Sequence, residues 1–95
     1  MSTKDEYVQK MHAKLDQLNA EIDKLVLKAD QDKDEARVEY HKQIEALRAA
    51  ARHARELLEE LRQSGEGAWQ DMKAGVEAAS DAIGAAMDSA KSRFK

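Results

Sequence analysis

Asp30, Asp32 and Asp34 stand at alternate positions, which is how a calcium-binding loop begins. Such a loop needs glycine at its sixth position for a sharp turn and a bidentate carboxylate at its twelfth. Those positions hold Glu35 and His41, so the triplet reads as a solvated acidic helix face or a hinge. His12, His41 and His53 never fall at i, i+4, the spacing that would turn two imidazoles toward one metal. Arg48, Arg52 and Arg55 line one helical stripe and offer guanidinium forks suited to a phosphate. The same stretch also holds Arg52–Glu56 and Arg55–Glu59 at i, i+4 and Glu59–Arg62 at i, i+3. Pairs of this kind contribute a few tenths of a kcal/mol each, and they are the simpler account of these arginines.

Nucleophiles are sparse. The chain has no cysteine, and Ser2, Ser64, Ser80, Ser89 and Ser92 fall at ends, turns or polar helix positions. No glycine-rich phosphate loop and no nucleophile elbow occurs, and no strand is available to carry one. The expectation is a protein without catalytic residues, metal, cofactor or small-molecule substrate.

Composition says what such a chain can be. Of its 95 residues 37% are charged and 4% aromatic, with no proline, and much of the 42% hydrophobic content is alanine. This is the make-up of long helices and coiled coils. A net charge of −3 with both signs interspersed does not suit a nucleic-acid partner, which calls for a clustered basic excess. No apolar leader is visible at the start, and runs such as Leu25-Val26-Leu27 are far too short to cross a bilayer. The expected location is the cytoplasm.

The elements follow from apolar spacing. Thr3 with Glu6 fits a capping box, and Asp5 and Glu6 suit the start of a helix. From there Val8, Met11, Leu15, Leu18, Ile22, Leu25 and Ala29 alternate steps of three and four, an a/d seam. Ile44, Leu47, Ala51, Ala54, Leu58 and Leu61 repeat the rhythm. The two runs join through Lys33, Ala36 and Tyr40 with one extra step of four, an eleven-residue pattern that a continuous helix tolerates. One long coiled-coil helix over residues 4–63 is therefore the favoured reading. Its weak point is Asp30–Glu35, which has no large apolar residue and holds a second capping pattern in Asp32 and Glu35. A turn there would give a three-helix bundle instead.

Ser64-Gly65-Glu66-Gly67 is the clear interruption, with Gly65 placed to end the helix as a left-handed C′ residue. The seam can nevertheless pass through it as Leu61, Gly65, Trp69. A shorter amphipathic helix follows over residues 68–93. Its stripe is Trp69, Met72, Val76, Ala79, Ile83, Ala86 and Ala90, with Met87 and Phe94 alongside. Gly75 and Gly84 weaken it as an isolated helix.

The opening Asp5-Glu6-Tyr7-Val8, the stretches Leu18–Leu25 and Tyr40–Leu47, and above all Gly67–Glu77 with Trp69, followed by Ser92-Arg93-Phe94, carry a resemblance. The chain resembles a group of small bacterial coiled-coil proteins, some labelled stress-response proteins by similarity to a cyanobacterial member. The resemblance implies a long helix followed by a shorter one. It implies no enzyme activity or cofactor, and it supplies no catalytic residue.

A stripe of two apolar positions in seven must meet another helix. The fold class expected is all-α, self-associating or folded back as a helical hairpin, in one unit spanning residues 1–95. The function expected is non-enzymatic helix–helix interaction, possible in a stress setting, with a second copy or another helical protein as partner. The interaction residues would be Val8, Met11, Leu15, Leu18, Ile22, Leu25, Tyr40, Ile44, Leu47, Leu58 and Leu61 on the long seam. Trp69, Met72, Val76, Ile83, Met87 and Phe94 would serve on the C-terminal helix. The alternative is a peripheral membrane protein that lays this last helix on lipid. Asp71, Glu77, Asp81 and Asp88 on its polar face disfavour an anionic surface.

Overall fold

Alternating steps of three and four produce helix throughout. The computed structural model describes residues 3–30 and 36–93, and within them the chain is all-helical: α1 (Thr3–Asp30), α2 (Ala36–Gln63) and α3 (Ala68–Arg93). Asp5 and Glu6 sit in the first turn of α1 and Lys28 in its last, each opposing the partial charge of its helix end.

The favoured continuous helix over residues 4–63 is corrected here. Its two halves are separate helices packed against each other, and the longest dimension of the protein is 51 Å. A single helix of that length would reach about 90 Å. The reason lies in the sequence between the halves. Asp30 to Glu35 offers no large apolar side chain to hold a partner, and in a continuous helix Asp30 and Asp34 would repel at i, i+4. Doubling back buries both seams at once. The proposed capping pair Asp32 and Glu35 lies outside the described residues.

The helices run up, down and up. Asp16 faces Arg55 while Asp23 faces Arg48, so α1 and α2 are antiparallel. Lys14 faces Asp81 while Glu21 faces Lys91, so α1 and α3 are parallel. Contact is extensive between α1 and α2 and between α2 and α3, and much narrower between α1 and α3.

The turn between α2 and α3 differs from the expected one. Neither glycine in it has a positive φ, so Gly65 is not a left-handed cap. The end of α2 tightens instead: the Ser64 amide and its Oγ both donate to the Leu61 carbonyl, at 3.1 and 2.6 Å. The Gly65 carbonyl then accepts from the amides of Ala68 and Trp69, which opens α3. Lys4 Nζ donates to the Ser64 carbonyl at 2.8 Å and ties the turn to the start of α1.

The core is one column. Leu15, Ile22, Leu58 and Leu61 are fully buried at its centre, with Val76, Ile83 and Met87 closing it from α3. α3 buries Trp69, Val76, Ile83 and Ala90 as its stripe predicts, but the positions between them move by one residue. The buried line is Val76, Ser80, Ile83, Met87, Ala90, and Ala86 is exposed. Met87 has more apolar surface to bury than Ala86, and the steps of four and three survive the shift. Ser80 is thereby carried into the core at 1% exposure, against the expectation of a polar position. Its hydroxyl finds no hydrogen-bond partner among the described residues.

Two sets of substitutions probe this packing. Leu58→Ala is expected to cost about 2–5 kcal/mol in urea unfolding, whereas Leu27→Ala, at a site 65% exposed, should change stability by less than about 0.5 kcal/mol. Gly75→Ala and Gly84→Ala meet no atom within 4 Å of the new methyl and should each stabilise by about 1 kcal/mol. A loss of stability in either glycine variant would show that α3 is packed otherwise.

Candidate interaction surface

Three seams join the helices, and each is built from different chemistry. Between α1 and α2 runs a ladder with one rung per heptad. Arg55 Nη2 lies 2.6 Å from Asp16 Oδ1, Arg48 Nη2 lies 2.8 Å from Asp23 Oδ1, and His41 Nε2 lies 3.2 Å from Asp30 Oδ1. With its amide turned to satisfy both ends, Asn19 also accepts from Arg55, at 2.8 Å from Nη2 and 3.2 Å from Nε. The rungs are exposed, so each adds little to stability. They line up the two helices. The arginines therefore work across helices more than along one. Only Arg62 keeps the expected local partner, donating through Nε to Glu59 at 3.0 Å and through Nη2 to its other oxygen. Those bonds hold the exposed Glu59 carboxyl below its ordinary range and raise the Arg62 guanidinium above its own.

Between α1 and α3 the contact is a clasp at one end and two loose ties. Tyr7 and Trp69 pack as a tilted pair with ring centroids 5.7 Å apart, and Lys73 Nζ sits 5.2 Å from the Tyr7 ring centre. The Tyr7 hydroxyl donates a long, weak bond to the Lys73 carbonyl at 3.4 Å. Further along, Lys14–Asp81 and Lys91–Glu21 are both 3.7 Å apart and largely exposed. Burial, and next the nearby Glu77 carboxylate, push the Tyr7 phenol up to about 12.

Between α2 and α3 no ion pair is found among the described residues. The seam is lined by small side chains and leaves an open groove of about 350 Å³. Its walls are Gln43, Ala46, Leu47 and Ala50 on α2 and Ala86, Ser89 and Ala90 on α3. The groove lacks a charged wall and a nucleophile poised beside a base. Among the described residues no group of three or more His, Cys, Asp or Glu side chains is placed to hold a metal ion.

The expected interaction residues are brought together, inside one chain. Val8, Met11, Leu15, Ile22, Leu25, Ile44, Leu47, Leu58, Leu61, Trp69, Val76, Ile83 and Met87 are buried in the shared core. Leu18, Tyr40 and Met72 are partly buried against it. Phe94 lies outside the described residues. The seam is therefore covered by the chain's own helices. Sequence reasoning passed over Tyr7 and Ser80, both buried. Tyr7 precedes Val8 on the seam's flank, and its signal was an aromatic beside an a/d position. Ser80 lies four residues beyond Val76 and three before Ile83, so its step alone marked it.

Because the folded protein keeps the Tyr7 proton to about pH 12, and an unfolded tyrosine loses it near 10, this group's contribution to stability is whole below pH 10. It is lost as pH rises from 10 toward 12. Urea unfolding across this range should show a smaller alkaline loss in Tyr7→Phe than in the unaltered chain. An equal loss in both would place Tyr7 outside the clasp.

Comparison of the chain with protein-family models, curated proteins and solved structures finds no match.

Proposed function

We propose that this protein works by helix–helix interaction, without catalysis, and that the α1–α3 seam is where another helix gains access to its apolar column. The observation that carries this reading is the inequality of the three seams. α1 and α2 are laced by three rungs, and α2 and α3 are joined by a short turn and broad contact. α1 and α3 share neither a connection nor a broad face. A clasp of Tyr7 with Trp69 and two exposed ion pairs close the one seam that can part without disturbing the others. A partner helix entering there would find an apolar stripe spaced for helix packing. A stress-related setting, which the sequence resemblance suggests, fits a bundle that opens when conditions weaken it.

A second reading is favoured by the composition of α3. Its buried face carries Trp69, Val76, Ile83 and Met87, and its exposed face is largely alanine, glycine and serine between acids. Released, it would be an amphipathic helix able to lie on lipid. No helix among the described residues is long and apolar enough to cross a membrane.

Trp69 separates the two. It is the only tryptophan and is 6% exposed. Its emission is expected to be blue in buffer and unchanged by phosphatidylcholine or phosphatidylglycerol vesicles. Sedimentation of the full chain should meanwhile show association that grows with concentration or with an added helical partner. Red emission that turns blue on vesicles, with a monomer at every concentration, would replace the interaction reading with the lipid one.

A further inference from the structure

The turn between α2 and α3 spans only residues 64–67, and nothing in it requires a turn. Neither Gly65 nor Gly67 takes a positive φ, and a methyl on either meets no atom within 4 Å. If residues 64–67 became helical, α2 and α3 would merge. At 100° per residue the buried positions of the two helices would then share one face. Ile44, Leu58 and Leu61 of α2 and Val76, Ile83 and Met87 of α3 all fall within an arc of about 100°. α1 and α2 keep the same phase across their own connection, so shared phase permits a merged helix without requiring one. A merged helix would thus keep one apolar face and meet no steric bar at either glycine.

In that state α3 points away from its own α1 and α2, and their apolar column is uncovered. The surface that fits it is α3 from another copy. Two merged helices lying antiparallel place each α3 against the other chain's α2, the direction the two helices already have within one chain. We infer that this protein forms a dimer by exchanging α3 between two copies, with Ser64–Gly67 as the hinge. The inference rests on the helix-interaction reading above, but opens the α2–α3 contact together with the α1–α3 seam, and names its partner as a second copy of this chain. The contacts of α3 with α1 and α2 are regained, including the Tyr7–Trp69 clasp and the Lys14–Asp81 and Lys91–Glu21 pairs, now between chains, and only the hydrogen bonds of the turn itself are exchanged for helical ones. What separates the two states is the helix cost of Gly65 and Gly67 and the entropy of association. Short connectors favour such exchange, and glycine opposes it by weakening the merged helix.

The test uses the full chain. Sedimentation equilibrium should show a monomer–dimer equilibrium, and Gly65→Ala/Gly67→Ala should strengthen dimerisation at least tenfold, since each helical glycine replaced is worth about fivefold. A three-residue Gly-Ser-Gly insertion after Gly65 should return the chain to monomer. Architecture is read by mixing Lys14→Cys chains with Asp81→Cys chains, refolding them together and adding a short bismaleimide. The chain has no native cysteine, so exchange predicts a covalent heterodimer that crosslinks through these two sites. A dimer without that crosslink would overturn the exchange and leave the helix-interaction reading standing. Monomer at every concentration, in the unaltered and the double-alanine chain, would also overturn the exchange. An added helical partner that still binds would then show the broader reading intact.

Discussion

An apolar stripe along a helix is stable in water only when another helix covers it. Every other feature of this protein depends on how that cover is found. The stripe runs the length of the described chain, from Val8 on α1 to Ala90 on α3, and the protein covers it with itself. Covering it within one chain replaces the entropy cost of bringing molecules together with the smaller cost of closing two short connections. The result is a column of Leu, Ile, Val and Met about as long as the helices, with polar residues left to manage alignment.

The three helices contribute unequally. α1 and α2 supply Leu15, Ile22, Leu58 and Leu61 to the fully buried centre. α3 supplies Trp69, Val76, Ile83 and Met87, set among alanine, glycine and serine. Its two internal glycines lower helix stability without making room for anything, and its buried Ser80 hydroxyl has no partner among the described residues. The third helix is thus as deeply buried as the other two but is the weaker helix by itself. It is also the one tied to α1 only by a clasp and two exposed pairs.

Much of this was legible in the residues. The helical class, the interruption at residues 64–67 and most of the buried set follow from steps of three and four among apolar side chains. The reversal between α1 and α2 was legible only as the alternative, a turn within Asp30–Glu35 giving three helices, because the stripe keeps phase from Leu25 through Tyr40 to Ile44 and phase alone cannot distinguish a straight helix from two that double back. What the sequence offers against the straight helix is the lack of a large apolar residue in Asp30–Glu35. In α3 the places of Ala86 and Ser80 were missed: Ala86 is exposed and Ser80 buried, because Met87, already set beside the stripe, has the larger area to bury. The ladder was missed because Arg55 had a plausible partner on its own helix, and only the antiparallel packing brings Asp16 to it.

That ladder also acts as a vernier. Its rungs repeat every seven residues, at Asp16, Asp23 and Asp30 on one rail and Arg55, Arg48 and His41 on the other. Sliding α1 along α2 by about one turn brings Glu45 opposite Asp23 or Asp30, and attraction becomes repulsion. Sliding by a whole heptad sets at least two of the three carboxylates against a basic partner, and in one direction all three, through Arg62, Arg55 and Arg48, so charge alone hardly notices. Only the short span between Asp30 and Ala36 forbids that larger error. Alignment is thus written twice, finely by charge and coarsely by the length of a connection, and a longer connection would cost the protein its coarse scale while leaving the fine one intact.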